Sequence, residues 1–215
     1  MLEKIEMISP SDIENRSFQI ISEELGDRKF PPFCENIVKR VIHTTADFDY
    51  AENLYISENA VGKGLKALQS GCTIVTDTTM ALSGINKRVL SSLGGSVKCF
   101  IADEDVKEEA KKRGITRSAV AVEKASKDKN IKIYVVGNAP TALISLYDLI
   151  KEGKMEVPDL VVGVPVGFVN VVESKELFVN SEIPCIIARG RKGGSNVAAA
   201  IINALLYIVS ENRRD

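Results

Sequence analysis

Several features that mark particular classes of protein are scarce in this sequence. Its 215 residues include no tryptophan, one histidine and four cysteines. The cysteines, Cys34, Cys72, Cys99 and Cys185, stand far apart and lack the paired spacing of a zinc or redox motif. We therefore expect them to be small buried residues of a protein in a reducing compartment.

A charge excess and a long apolar run are also lacking. Lysine plus arginine total 28 against 29 aspartate plus glutamate, so the overall field gives no reason to expect a nucleic acid or an anionic membrane as partner. The most apolar stretch, residues 197–209, is interrupted by Asn203 and is too short to span a bilayer. We predict a cytoplasmic protein with no nucleic-acid or membrane partner, in which any anionic ligand is held by local groups.

Hydrophobic residues make up 45% of the chain, which is enough for a substantial core. Short runs of valine and isoleucine without polar alternation are typical of strands that are covered on both faces. They predict strands at residues 72–77, 97–102, 131–137, 159–164 and 183–188. With helical segments between them, we predict a single α/β domain over residues 1–215. Its mostly parallel sheet has about five strands and is flanked by helices on both faces.

Capping residues and apolar spacing predict the helices. Ser9 is a candidate cap for a helix from Pro10 to Leu25, and a second helix follows two consecutive prolines and ends near His43. Further helices are predicted at residues 103–113, 118–126, 141–151 and 197–208. The last of these is apolar nearly all round, so it must be buried, either by the chain itself or in part by a second subunit.

Ligands of open α/β sheets bind outside the carboxyl ends of the strands. Four segments at those positions are rich in glycine, proline and short polar residues: TDTTMALSG, GNAPTAL, GVPVGFVN and ARGRKGGSN. Turn chemistry explains any one of them, but their convergence on one edge of the sheet favours a pocket. Their glycine spacing fits neither a Walker loop nor a dinucleotide fold, so no ATP or NAD site is predicted.

Cations stand at two predicted helix starts. Arg191 and Lys192 precede the last helix, and Arg117 follows Thr116, the expected cap of another. A cation at the positive end of a helix is unfavourable by about 0.3–1 kcal/mol, and a bound anion would relieve this. The alternative is a solvated surface charge.

His43 is the only histidine in the chain. At 100° per residue it points away from the apolar stripe centred on Ile37, with Arg40 one turn back on its own side. It is therefore predicted to lie outside the core, either as a cation at a helix carboxyl end or as a proton-transfer group. Asp47 and Asp49 either orient its imidazole or are solvated loop residues.

An ordered set of motifs gives the sequence its resemblance to a known family. The motifs are IENRSFQII at 13–21, RVIHTTAD at 40–47, TDTTMALSGI at 76–85, TRSAVAV at 116–122, GNAPTAL at 137–143, GVPVGFVNVVESKE at 163–176 and ARGRKGGSNVAAA at 188–200. Together they resemble precorrin-8X methylmutase, called cobalt-precorrin-8 methylmutase in the anaerobic route to cobalamin.

The resemblance implies an isomerase that moves a methyl group from ring carbon 11 to ring carbon 12 of (cobalt-)precorrin-8, a contracted tetrapyrrole, to give hydrogenobyrinate or its cobalt form. It also implies a homodimer that uses no cofactor and has no metal site of its own. Whether the natural substrate contains cobalt is left open. A non-catalytic tetrapyrrole carrier, which needs the same pocket but no proton donor, is the alternative function.

The resemblance assigns the essential histidine to His43 and substrate contacts to Ser17 and Arg40. Together with the loop analysis, it predicts further substrate-binding residues: Thr44, Thr79, Met80, Arg117, Asn138, Ala139, Val166, Gly167, Phe168, Arg189, Gly190 and Arg191.

The substrate has many carboxylates and an apolar macrocycle, so different residues should meet different parts of it. Backbone groups near Asn138 and Gly167 are expected at its rim. The apolar residues expected against its face, for which core packing is the alternative, are Met80, Val166 and Phe168. The cations expected near its carboxylates are Arg40, Arg117, Arg189, Arg191 and Lys192.

Overall fold

A computed structural model describes residues 8–10 and 12–211 of the protein. Its strands form one six-stranded sheet in the order β1-β6-β5-β4-β2-β3. Neighbouring strands are parallel except for β1, which runs antiparallel to β6. The strands are β1 (Leu54–Ile56), β2 (Thr73–Thr76), β3 (Ser96–Lys98), β4 (Ile131–Val136), β5 (Leu160–Gly163) and β6 (Cys185–Ala188).

The described residues also form eleven helices, most of which connect one strand to the next. They are α1 (Ile13–Leu25), α2 (Cys34–Thr45), α3 (Tyr50–Asn53), α4 (Ala60–Gln69), α5 (Thr79–Gly84), α6 (Lys87–Ser92), α7 (Glu104–Arg113), α8 (Arg117–Ala125), α9 (Pro140–Lys151), α10 (Val171–Val179) and α11 (Ser195–Glu211).

Two hydrophobic clusters cover the two faces of the sheet. Ile133 and Val135 of β4 pack with residues of α2, α4 and α11, whereas Tyr134 and Val136 pack with residues of α8, α9 and α10. Alternate side chains of a strand point to opposite faces, so this central strand is buried on both sides. The predicted α/β architecture with helices on both faces is confirmed.

Helix α11 is the centre of the larger cluster. Ile201 and Leu205 are fully buried, and α2, α4 and α5 pack around the helix. The chain itself therefore buries α11, and a second subunit is not needed to cover it. Within the described residues, no helix has both the length and the apolar character needed to cross a membrane.

The strand predictions differ from the structure at both edges of the sheet. Strands β2, β4, β5 and β6 lie within two residues of the predicted limits. Strand β3 ends at Lys98, because residues beyond it turn and Asp103 N–H donates to Phe100 O. Strand β1 was not predicted, since three half-buried residues give too short a pattern.

The limits of helices α1 and α2 differ from the predicted ones by three and two residues. Helix α1 begins at Ile13 rather than Pro10, because Asp12 N–H closes a turn onto Ser9 O at 2.9 Å, and Asp12 is the cap. Helix α2 continues two residues past His43. The expectation of buried, unpaired cysteines is confirmed for three of the four, and Cys99 is only half-buried.

Candidate active site

The antiparallel edge strand determines where His43 lies. The parallel strands all end at one edge of the sheet, and β1 starts at that same edge because it runs the other way, with Leu54 opposite Ala188. Only residues 46–53, which include α3, separate the end of α2 from the start of β1. The carboxyl end of α2, with His43 and Thr44, is therefore held near the carboxyl edge of the sheet.

The strand order changes direction between β2 and β4, and Asp77 lies at that point. Its carboxylate accepts three backbone N–H groups, from Gly137 at 2.8 Å, Asn138 at 2.9 Å and Ala139 at 2.8 Å. Burial raises the pKa of Asp77, and these three hydrogen bonds oppose that rise. Asp77 thus fixes the loop after β4 against the end of β2.

The loop after β6, residues 189–194, is held by two neighbouring residues of α10. The buried ammonium of Lys175 donates to the carbonyls of Gly190 at 2.8 Å and Lys192 at 2.9 Å. Glu176 binds the guanidinium of Arg189 through two hydrogen bonds. The backbone of this loop is therefore fixed on its inner side.

The loop after β5, residues 164–170, packs against the loop after β6. Gly167 N–H donates to Arg191 O at 3.2 Å, and Gly194 N–H donates to Val164 O at 2.8 Å. The guanidinium of Arg191 lies 5.5 Å from the centre of the Phe168 ring. These contacts bring the predicted residues of two strand-end loops together.

Three apolar residues of these loops are on the surface. Met80 is 70% exposed, Phe168 is 81% exposed and Val166 is also exposed. The alternative that they pack in the core is therefore wrong. They are available to a ligand or to a second subunit, as is the neighbouring Val169.

Arg117 is placed at the same edge by the cap of its helix. Thr116 accepts the N–H of Ala119, as expected of a cap, and donates to the hydroxyl of Thr141 at the start of α9. Because α9 begins directly after β4, Arg117 lies beside the strand-end loops. The guanidinium of Arg117 forms no ion pair within residues 8–10 and 12–211.

His43 lies in a second group of residues, on α1 and α2. Its imidazole is exposed and stacks on the ring of Phe18, with the ring centres 5.2 Å apart and the planes inclined by 12°. Arg40 lies 4.7 Å from the centre of the same Phe18 ring, 4.9 Å from that of Tyr207, and binds Glu14. In the described part of the chain, His43 forms neither a hydrogen bond nor an ion pair.

The two aspartates that follow α2 do not orient the imidazole. Asp47 and Asp49 instead bind the ammonium of Lys192, at 2.6 and 2.7 Å. The hydrogen bond from Lys192 lowers the pKa of Asp47. These two ion pairs connect the chain segment after α2 to the loop after β6, and thus connect the two groups of residues.

The predicted cations fall into two classes. Arg40, Arg189 and Lys192 are each paired with a carboxylate of the chain itself. Arg117 and Arg191 have no carboxylate partner among the described residues. The last two are therefore the better candidates for binding an anionic ligand.

Several predicted contacts are already used within the protein. The N–H groups of Asn138 and Gly167, expected at the substrate rim, are bound by Asp77 and Arg191 O. Ala139 is buried, and the Ser17 hydroxyl donates to Ile13 O within its own helix. The side chains of Thr44, Thr79 and Asn138 remain exposed.

Sequence reasoning missed three residues of this region: Phe18, Asp77 and Lys175. A signal existed for Lys175, because it lies four residues after Val171 and three before Phe178 and so shares their buried helix face. Stacking of Phe18 on His43 and the hydrogen bonds of Asp77 depend on tertiary neighbours. No group of three or more His, Cys, Asp or Glu side chains in residues 8–10 and 12–211 is placed to hold a metal ion.

Comparisons with known proteins agree with this geometry. The sequence model of the precorrin-8X methylmutase family matches residues 12–208. A cobalt-precorrin-8 methylmutase of Salmonella typhimurium is 51% identical, over 94% of this chain and 97% of its own. A precorrin-8X methylmutase of Pseudomonas aeruginosa is 37% identical, over 90% and 93%. The crystal structure of a precorrin-8X methylmutase from Thermus thermophilus superimposes with a TM-score of 0.85 at 37% identity, covering 94% of this chain and 98% of the other.

Proposed function

Because the chain belongs to the precorrin-8X methylmutase family, we propose that His43 is the proton donor of its reaction. The protein is an isomerase of cobalamin biosynthesis, which moves a methyl group from ring carbon 11 to ring carbon 12 of (cobalt-)precorrin-8 to give hydrogenobyrinate or its cobalt form.

The state of the His43 side chain carries this proposal. It is the only imidazole of the chain, it is exposed, and neither ring nitrogen has a hydrogen-bond partner among the described residues. Phe18 supports one face of the ring. A histidine in this state can give a proton to a ligand and take it back.

The proposed reaction leaves the composition of the substrate unchanged. His43 donates a proton to the conjugated ring system, which makes the carbon next to the migrating methyl group electron-poor. The methyl group then moves by a 1,5-sigmatropic shift, and the proton returns to His43. A well-placed proton donor contributes about 10²–10⁴-fold to a rate, so the remaining acceleration comes from holding the macrocycle in a reactive geometry.

The strand-end loops supply complementary contacts for the rest of the substrate. Arg117 and Arg191 have no carboxylate partner among the described residues and are proposed to bind carboxylates of the tetrapyrrole. The exposed side chains of Met80, Val166 and Phe168 are proposed to cover the apolar face of the macrocycle.

We propose the cobalt-containing substrate as the natural one. The relatives from Salmonella typhimurium, Leptospira interrogans and Priestia megaterium are 44–51% identical and are named cobalt-precorrin-8 methylmutases. The Pseudomonas aeruginosa and Sinorhizobium relatives named for precorrin-8X are 37% and 32% identical. Comparing kcat/KM on cobalt-precorrin-8 and metal-free precorrin-8 tests this, and a clear preference for the metal-free form would contradict it.

A homodimer in the cytoplasm is also proposed. Exposed apolar side chains outside the strand-end loops support a second copy as partner: Ile13 and Ile20 on α1, and Phe33 before α2. Sedimentation equilibrium at several protein concentrations measures the mass, and a monomer at micromolar concentration contradicts the dimer.

His43→Ala provides the test of the acid role. The variant should bind the substrate but lose turnover by about a hundredfold or more, the contribution expected of a general acid. Conversion to the product chromophore is followed by absorption, and binding by the spectrum of the complex. His43→Asn is the control, because it keeps a planar polar group that does not titrate near neutral pH, and it should be as inactive.

The outcomes separate the two candidate functions. Wild-type turnover in His43→Ala would exclude His43 as the proton donor. If the wild-type protein binds precorrin-8 but the absorption spectrum of the bound tetrapyrrole does not change to that of the product, the protein is a carrier, which is the alternative function.

A further inference from the structure

Lys175 is an unusual residue for the interior of a protein. Its side chain is fully buried on the inner face of α10, and no described carboxylate forms an ion pair with it. A buried ammonium without a counter-ion lowers stability, because its lost hydration is only partly replaced. A contribution to the stability of the fold therefore does not explain why a lysine stands at this position and binds two carbonyls.

The carbonyls that Lys175 binds fix the direction of the peptide groups in the loop after β6. A trans peptide is planar, and its C=O and N–H point in opposite directions; the described residues contain no cis peptide. Since the carbonyls of Gly190 and Lys192 point at Lys175, the N–H groups of Arg191 and Gly193 point away from it.

These two N–H groups are available to a ligand. The carbonyl between them, that of Arg191, is taken by Gly167 N–H. In residues 8–10 and 12–211, neither the N–H of Arg191 nor that of Gly193 finds an acceptor. Two backbone N–H groups on one side of a loop suit the two oxygens of a carboxylate. Arg191 also carries a guanidinium that has no carboxylate partner in the described part of the chain.

We infer that Lys175 is a positioning residue, which sets the N–H groups of Arg191 and Gly193 to bind a carboxylate of the substrate. The inference rests on the proposed function, because the substrate supplies the carboxylate. Lys175 itself touches no substrate; it acts through the loop carbonyls.

Lys175 is the charged group of this region whose charge should change with pH, because charged residues around it are paired with one another. Burial lowers its pKa to about 8, and Glu176 on the same helix opposes that shift. In the loop, Arg189 is neutralised by Glu176, and Lys192 by Asp47 and Asp49. As the pH rises through about 8, Lys175 loses its charge, and its hold on the two carbonyls weakens.

Lys175→Met tests the inference in the full-length protein. Methionine fills the same space without a donor, so the loop loses both hydrogen bonds to its carbonyls. We expect KM for cobalt-precorrin-8 to rise about tenfold, the size of one charge-assisted hydrogen bond, while kcat changes less than KM. The wild-type KM should also rise above pH 8, whereas that of the variant should be independent of pH in that range.

Two further measurements separate positioning from a purely structural role. A residue needed only for folding would, when replaced, lower the melting temperature and leave KM unchanged; we expect the melting temperature to be kept or raised. Lys124→Met, which removes a lysine bound to Asp103, the cap of α7, and to Asp105 on α7, should leave KM as in the wild type. Should Lys175→Met not fold, Lys175→Gln keeps an uncharged amide donor and should show a smaller rise in KM.

Turnover of the tetrapyrrole by the wild-type protein tests the proposed function separately from the role of Lys175. If it binds the tetrapyrrole without turnover, the methylmutase activity fails, but the dissociation constant replaces KM and still tests Lys175. The inference would be overturned if Lys175→Met had the same KM or dissociation constant as the wild type. It would also be overturned if this constant rose equally above pH 8 in both proteins.

Discussion

Two buried charged residues hold two loops at the same edge of the sheet, and they hold opposite ends of the peptide group. Asp77, at the end of β2, accepts N–H groups of Gly137, Asn138 and Ala139. Lys175, on α10, donates to the carbonyls of Gly190 and Lys192. Asp77 thus fixes the loop after β4, and Lys175 fixes the loop after β6, with β5 between these two strands.

The difference determines what each loop can offer to a ligand. Asp77 uses up the backbone donors of its loop, so the loop after β4 can contribute little more than the exposed side chain of Asn138. Lys175 uses carbonyls, so the N–H groups of Arg191 and Gly193 in the loop after β6 stay without an acceptor among the described residues. An anionic substrate should therefore depend on the loop after β6, and the loop after β4 should matter mainly for stability.

Asp77→Ala should have the largest effect on stability. It leaves three backbone N–H groups without their acceptor, and two of them belong to the buried residues Gly137 and Ala139. A buried donor left unsatisfied costs about 1–3 kcal/mol, so the total loss should be about 3–5 kcal/mol. Unfolding in urea, followed by circular dichroism, measures the loss. Asp77→Asn keeps one acceptor oxygen and should lose less. A loss below about 1 kcal/mol in Asp77→Ala would show that water or rearrangement replaces the carboxylate.

Gly193→Ala should have the next largest effect, in the other loop. A Cβ at Gly193 would lie 2.1 Å from Val164 O, so the two loops must separate. Overpacking of this kind costs about 1–3 kcal/mol, and moving the Gly193 N–H should also raise KM. In the control Gly153→Ala, between α9 and β5, a Cβ meets nothing within 4 Å, although φ is +67°, so only strain of about 1–2 kcal/mol is expected. Equal KM values in the two variants would contradict a role for the Gly193 N–H.

The sequence predicts the sheet better than the edge that carries the site. Runs such as IKIYVV in β4 are apolar on both faces, so composition alone indicates a buried parallel strand. Strand β1 has three half-buried residues and no such pattern. It nevertheless brings the carboxyl end of α2, with His43, to the edge where the loops meet.

The contacts of the two buried charged residues, Lys175 and Asp77, could also be predicted only in part from the sequence. Helical spacing places Lys175 on the buried face of α10, and this is readable from the sequence. Its partner carbonyls lie 15 and 17 residues away, however, and the N–H groups that Asp77 binds lie 60 to 62 residues away. Such contacts follow from the order of the strands, which local patterns do not contain. The motif around His43 predicts a role in proton transfer, and this stays a prediction. Its contact with Phe18 depends on the packing of α1 on α2, which no local pattern contains.

Lys175→Met should have the smallest effect on stability, and its sign should depend on pH. The pKa of Lys175 is lowered from 10.5 to about 8 in the folded protein. Between those values the unfolded chain binds more protons, so wild-type stability rises with pH, by about 3 kcal/mol in total. At pH 7 the variant avoids that penalty but leaves two carbonyls without a donor, at about 1 kcal/mol each. It should then be about 1 kcal/mol more stable than the wild type.

That advantage should shrink as the pH rises from 8 and become a deficit before pH 10.5, because the neutral amine of the wild type still donates to the loop. Urea unfolding of both proteins at pH 7, 8, 9 and 10 measures the difference. Lys124→Met should be less stable than the wild type at pH 7, since Lys124 binds Asp103 and Asp105. A constant difference between Lys175→Met and the wild type from pH 7 to 10 would mean that Lys175 keeps its proton. Its hold on the loop would then be independent of pH, and the contrast with Asp77 would concern only which end of the peptide each residue binds.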